Sequence, residues 1–188
     1  MLFFKKISVI IITIFIALLI IDRFYQSEVN EILIKDVVIN AKENIRYLNF
    51  KQEINIDSPI RKAINNGIPL VFKVILKIVK INDILPNKTV SKEIRYYQIE
   101  YKALRKVYKI KDINGKKYEY KHIDEAIKKI STVEDFEFSI IDNHINHELW
   151  LNVSLERKKL PKPLQVNYFD RTWYMNSNKS IHKLWKLN

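Results

Sequence analysis

The residues best suited to chemistry lie in one short stretch, His144-Ile145-Asn146-His147-Glu148. Two imidazoles three positions apart, next to a carboxylate, are the donor types that hold a divalent cation, and a cation so held can activate water for hydrolysis. The order is not His-Glu-x-x-His, and the flanking residues predict a loop running into a strand rather than a helix that would align both rings. His144, His147 and Glu148 are thus the candidate metal ligands of an alternative reading, a metal-dependent hydrolase, beside the plainer reading of a solvated turn. His122 and His182 stand far away in the sequence and add nothing to the cluster.

A second pattern interleaves aromatic and basic residues. Tyr96, Tyr97, Tyr101, Tyr108, Tyr118 and Tyr120 lie among Arg95, Lys102, Arg105, Lys106, Lys109, Lys116, Lys117 and Lys121. Such interleaving on a sheet can hold a single-stranded nucleic acid or a glycan, through phosphate contacts and stacking. Tyrosine is equally an ordinary strand residue, and lysine an ordinary guard of exposed strand edges. Arg157-Lys158-Lys159 with Lys162 forms another basic cluster and reads as a solvated loop.

Other chemistries are excluded by what is missing. The chain has no cysteine, which removes disulfides, thiolate zinc sites and thiol nucleophiles. It holds two glycines, too few for a glycine-rich phosphate loop, and no Gly-x-Ser-x-Gly elbow. Asn87-Lys88-Thr89 and Asn152-Val153-Ser154 match the glycosylation acceptor pattern, a short pattern that recurs by chance in an asparagine-rich chain. The formal charge of +12 is discounted as a sign of any particular partner, because heavy Lys, Ile and Asn usage is also what a biased genome produces.

The elements that must position these residues are organised around Gly67 to Ile110. Leu70, Phe72, Val74, Leu76 and Ile78 recur every second residue and predict a strand with one dry face; the other face carries Lys73 and Lys77 between Val71, Ile75 and Val79. Its predicted partner runs from Glu93 to Ile110 with Tyr97, Ile99 and Tyr101 inward, and the parity slip near Leu104 predicts a bulge or bend. Before this pair, Glu31–Asn40 and Leu48–Ile56 predict a hairpin turning at Lys42-Glu43-Asn44. Between Ser58 and Gly67 a short helix is expected, with Ser58 as cap, Pro59 at its first position and Gly67 as the left-handed stop.

Further along, Asn114-Gly115 predicts a tight turn folding Val107–Lys111 on Lys117–Lys121. Ile123–Ile130 predicts a second helix, acidic in its first turn and basic near its end. Phe136, Phe138 and Ile140 form the next strand, with the stretch from Leu149 to Leu155 as its expected partner. Leu160-Pro161-Lys162-Pro163-Leu164 should be extended. Trp173–Ser177 could pair as a last strand, and Ile181, Leu184 and Trp185 could close the chain with a turn of helix.

The chain opens with Lys5-Lys6 and an apolar run from Ile7 to Ile21 broken only by Ser8 and Thr13. No small-x-small pair follows before Asp22-Arg23, so an uncleaved anchor is expected rather than a removed signal. The lysines ahead of the run keep that end in the cytoplasm and place the rest outside. Localisation is therefore read as the inner membrane, single-pass, with the C-terminal domain in the periplasm, or periplasmic if the signal is cleaved.

Taken together, the N-terminal run, Ser58-Pro59-Ile60 with Ala63-Ile64, Gly67-Ile68-Pro69-Leu70-Val71-Phe72, Ile99-Glu100-Tyr101-Lys102-Ala103-Leu104 with Tyr108, the helix near Ala126, Leu160-Pro161-Lys162-Pro163-Leu164, and Trp173 with Ser177 resemble a bacterial family of exported proteins, the domain-of-unknown-function family DUF4390. The resemblance spans nearly the whole chain after the anchor. It implies a bacterial envelope protein, and since no activity is assigned to the family, no functional residues transfer.

The expectation is an N-terminal transmembrane or signal helix with spacer over residues 1–26 and one mostly-β domain over 27–188, an antiparallel β-sandwich or strongly bent sheet with two short helices. Its expected role is that of a non-catalytic, membrane-anchored binding module without cofactor. The expected partners are the membrane itself through the anchor, and an envelope protein or anionic envelope polymer. Nucleic acid is not among them, because the domain is expected outside the cytoplasm.

Overall fold

The computed structural model describes residues 31–42, 45–139, 146–166 and 171–184. The apolar run at the N-terminus, His144, Ile140 and Trp185 lie outside the described residues. Among those described, no helix is long and apolar enough to cross a membrane.

Strands form where apolar side chains recur every second residue, and they assemble into two antiparallel sheets. The first contains β1 (Glu31–Lys42), β2 (Ile45–Asn55) and β7 (Thr132–Phe138), in the order β1-β2-β7. The second contains β3 (Leu70–Lys80), β4 (Lys88–Lys102), β5 (Val107–Lys111), β6 (Lys117–Tyr120), β8 (His147–Leu155) and β9 (Ser180–Lys183), in the order β6-β5-β4-β3-β8-β9. Three short helices accompany them: α1 (Ser58–Asn65), α2 (Ile123–Ile130) and α3 (Lys162–Val166).

One buried cluster joins the two sheets. Leu48, Phe50 and Ile54 of β2 and Phe136 of β7 share it with Phe72, Val74 and Leu76 of β3 and with Leu149, Leu151 and Val153 of β8. The polar residue in this layer is Gln52, buried on β2, whose Nε2 donates to Tyr97 OH on β4 at 2.7 Å and to the Ile130 carbonyl at 2.7 Å. Beyond the small sheet, α1 and α2 continue the second layer: Tyr108 OH of β5 donates to Asn65 Oδ1 at the end of α1, and Lys129 of α2 lies over the Tyr118 ring of β6. The helices meet through Arg61 and Asp124, 2.8 Å apart.

At one corner the sheets are continuous. Segment 175–177 runs beside β8, with Ser177 N donating to the Val153 carbonyl at 2.7 Å, and Ile32 of β1 bridges Ser177 in parallel. β1 therefore begins beside segment 175–177, next to β8 of the large sheet.

Two bulges bend the small sheet on either side of β2. Register slips between Lys35 and Val38 on β1 and opposite Leu48 and Phe50 on β7 leave one extra residue in each neighbour. Each bulge holds an aspartate with positive φ, Asp36 at 47° and Asp135 at 54°, and Asp135 N donates to Asn49 Oδ1 at 2.8 Å. The β1 bulge moves the inward set from Ile32 and Ile34 to Val37 and Ile39, which is why alternation there looks imperfect in the sequence.

Several expectations need correction. The parity slip near Leu104 is a reversal of the chain: β4 ends at Lys102, Ala103 to Lys106 turn with Lys106 at φ 52°, and β5 pairs back along β4. A slip of one parity is what a four-residue turn leaves behind when strand residues flank it on both sides. β7 and β8 are not partners, since β7 pairs with β2 and β8 with β3 and β9, so the connection between them crosses from one sheet to the other.

Lys162–Val166 is a helix, not an extended run, because Pro163 sits in its first turn, where a missing N–H costs nothing. It is the third helix where two were expected. Ser180–Lys183 is a strand on β8, not a helical turn, while Trp173–Ser177 contributes only the bridges beside it. The cap of α1 is Asp57, whose carboxylate accepts from Ile60 N at 3.0 Å, and not Ser58.

Candidate functional site

Period-two alternation sorts the tyrosines and lysines of the large sheet onto opposite faces. Tyr97 points inward, buried, with its ring stacked on Phe72 at 5.0 Å between centroids. Burial pushes its phenol well above the ordinary tyrosine range. Tyr101 and Tyr108 pair with each other on the inner face, and Tyr118 and Tyr120 pack against the core beside α2. Of the six tyrosines, Tyr96 alone shows an exposed ring on the outer face, 46% exposed. The interleaving in the sequence is therefore an inside-outside alternation and not a stacking platform.

Much of the basic charge is committed to holding the fold. Arg95 donates to the Glu137 carbonyl at 2.9 Å and to Asn114 Oδ1 at 3.3 Å, and its guanidinium lies 4.7 Å from the centre of the Phe136 ring. Asn114 in turn donates to the Glu134 carbonyl at 3.1 Å. These two side chains occupy carbonyls along β7, an edge strand of the small sheet, and so blunt an edge open to pairing. Arg105 forms a two-pronged pair with Glu119, Lys102 pairs with Glu100, and Arg157 lies over Tyr174. Within the cluster Arg157 to Lys162, Lys158, Lys159 and Lys162 are solvated as expected.

Among the described residues, no second layer covers the outer face of the large sheet. Its rows follow from the register: Lys73 lies opposite Tyr96 and Ser154, Ile75 opposite Ile94 and Asn152, and Lys77 opposite Lys92 and Trp150. Trp150 lies opposite Ile181 of β9, and Lys179 stands over the indole at 2.9 Å. Ile94 and Ile181 are 41% and 47% exposed. The result is an apolar and aromatic band across β4, β3, β8 and β9, set among lysines. Lys73 pairs with Glu156 at 2.8 Å, and this hydrogen bond holds the Glu156 carboxyl below its ordinary range. Lys77, Lys92, Lys109 and Lys111 form no ion pair among the described residues.

Of the expected metal ligands, His147 and Glu148 do not share a face. His147 is the first residue of β8 and is buried, whereas Glu148 lies on the opposite side of the strand and accepts from Trp150 Nε1 at 2.9 Å. His144 falls outside the described residues. Among the described residues no three His, Asp or Glu side chains gather as a metal would require. Beside α2, a cavity of about 50 Å³ is lined by Tyr97, Asp112, Lys116, Tyr118, Lys129 and Glu134, enough for a few waters.

Sequence reasoning found β3 and β4 of the open face and missed what completes it. Trp150, Lys179 and Ile181 come from strands whose pairing is long-range, and the remaining signal was the alternation of Trp150 with Leu149 and Leu151.

A family description for a domain of unknown function (DUF4390) matches residues 29–182, and the chain belongs to that family. No curated protein and no solved structure matches the chain.

Proposed function

We propose that this member of the DUF4390 family is a non-catalytic binding module of the bacterial envelope, held outside the cytoplasmic membrane by the apolar run from Ile7 to Ile21 and binding through the outer face of its six-stranded sheet. The observation that carries this reading is the band of Ile94, Tyr96, Trp150 and Ile181 set among lysines, of which Lys77 and Lys92 form no ion pair among the described residues. Exposed apolar side chains gathered in one place mark contact surfaces when polar residues rim them. The partner that fits is an envelope protein with an apolar centre and an acidic rim, because a purely anionic polymer would use the lysines and leave the isoleucines in water.

The test has two parts. A reporter active only outside the cytoplasm, fused after Asn188, should give an active, full-length, membrane-bound product; an inactive soluble product would overturn the compartment. A photo-reactive residue in place of Tyr96 should then give a discrete protein adduct in cells, lost on Ile94→Asp. Adducts with polysaccharide alone would shift the reading to an anionic polymer.

A further inference from the structure

The β3–β4 connection contains two adjacent exposed apolar side chains outside that face. Ile84 is 95% exposed and Leu85 70% exposed, at the apex of a loop where polar residues are the rule. They are presented by an ordered brace. Asn82 N donates to Asn87 Oδ1 at 3.1 Å, and Asn82 Nδ2 donates to the Pro86 carbonyl at 3.1 Å, which ties the two sides of the loop together beneath the apex.

Below the apex stand two like-charged cross-strand pairs, Lys80 opposite Lys88 next to the loop and Lys77 opposite Lys92 about 10 Å further along the hairpin. Like charges placed opposite each other destabilise a hairpin, so neither pair helps the fold. Lys77 and Lys80 are three positions apart on β3, hence on opposite faces, and their partners follow them. The four lysines therefore surround the hairpin on both sides. Asp83 is the acidic residue within the loop itself.

We propose that this hairpin tip is a membrane-insertion element, in which Ile84 and Leu85 enter the headgroup–acyl boundary of an anionic lipid surface while Lys77, Lys80, Lys88 and Lys92 meet its phosphates. A convex apolar apex with cations on both sides fits a plane of anionic headgroups, where apolar burial and surface attraction add. A pocket on a protein would need to receive the apex and also present acids on two sides of it. The proposal rests on the anchoring proposed above for the nearness of lipid. Residues 22–30 reach about 30 Å when extended. Glu31 starts beside Ser177, near the level of Ser154 and Lys73, and the stretch from Lys73 to Lys80 spans roughly 23 Å. The apex lies four residues beyond Lys80 and β1 starts parallel to β3, so the tether must run back along the domain close to full extension for tip and anchor to share one membrane.

The chain has no cysteine, so Ile84→Cys carrying an environment-sensitive fluorophore reports that position alone. In the full chain reconstituted into vesicles containing phosphatidylglycerol, its emission should shift to the blue and be quenched by lipid-borne quenchers. In phosphatidylcholine vesicles it should stay aqueous. Lys80→Gln and Lys92→Gln should each lower the ratio of inserted to aqueous label about fivefold. Both relieve a like-charged pair, so a loss of insertion cannot be put down to unfolding. A label at Leu104→Cys, equally exposed but at the opposite end of β4, should remain in water. An aqueous Ile84 label in phosphatidylglycerol vesicles overturns the proposal. So does shielding that follows protein concentration instead of lipid, which would mean contact with a second copy, and so does insertion indifferent to both lysines. Resistance of the vesicle-bound chain to alkaline extraction reports the N-terminal anchor separately, so either reading can fail without the other.

Discussion

Tyr97 shows how a residue that looks like surface chemistry in the sequence becomes a structural part. Its neighbours Arg95 and Tyr96 are both partly exposed, yet Tyr97 is 2% exposed because it falls on the inward parity of β4. Its hydroxyl accepts from the Gln52 amide, which gives that buried group a partner. Tyr97→Phe keeps the ring and its stacking on Phe72 and removes only this acceptor. The expected cost is about 1–2 kcal/mol, the desolvation penalty of a buried donor left with one partner fewer. Urea denaturation of the variant would read it as a lower midpoint at unchanged slope, and an unchanged midpoint would show that the hydrogen bond contributes nothing. The inward position of Tyr97 was legible from period two alone. Its partner was not, because Gln52 lies 45 residues away on a strand of the other sheet. The metal reading failed to gain support at this same scale: adjacency in sequence, as in His147-Glu148, is separation across a strand.

At the scale of elements, local chemistry was read well and long-range pairing poorly. The α1 helix ends as its residues dictate: Gly67 takes φ 81°, its N–H donates to the Ile64 carbonyl, and Ile68 N donates to the Ala63 carbonyl, the paired C-terminal closure that favours glycine. The start is offset by one residue, since both Asp57 and Ser58 are good caps and only the backbone decides which is extended; Asp57 has φ −75° and ψ 175°. Asp57→Ala should therefore cost about 1 kcal/mol and Ser58→Ala only a few tenths. Equal losses in a thermal melt would return the cap to Ser58. Turns with chemical markers were placed correctly, as at Asp112 to Lys116, where Asp112 Oδ1 accepts from both Asn114 N and Lys116 N. The β4–β5 turn has no glycine, proline or Asn-Gly pair, only Ala103-Leu104-Arg105-Lys106, so nothing local announced a reversal. The pairing of β8 with β3 joins strands separated in sequence by four strands and a helix, and no local residue encodes that choice.

The whole molecule is one cooperative unit if its sheets depend on a common core. A mostly-β domain was legible from alternation, but the division into three and six strands was not, because alternation gives each strand a dry face without saying which other face will cover it. Phe50 tests the dependence. It lies 2% exposed on β2 between the two bulges, in the cluster that also holds Val74 of β3 and Leu151 of β8. Phe50→Ala should cost about 3–5 kcal/mol through lost burial and the cavity left behind, a large part of the 5–15 kcal/mol typical of a domain. Native-state hydrogen exchange separates two ways of losing it. If the sheets stand or fall together, amides of Leu151 and Val153 lose as much protection as those of β2, although β8 pairs with no strand of the small sheet. If the small sheet opens alone, β8 keeps its protection and only β1, β2 and β7 exchange faster. The shared cluster, the Gln52–Tyr97 hydrogen bond and the grip of Arg95 on β7 all cross from one sheet to the other, so common loss is the expected result. That shared core lies wholly on the inner side of the large sheet, which the small sheet and the two helices cover; the band of isoleucine, tyrosine and tryptophan on the outer face has no part in holding the layers together.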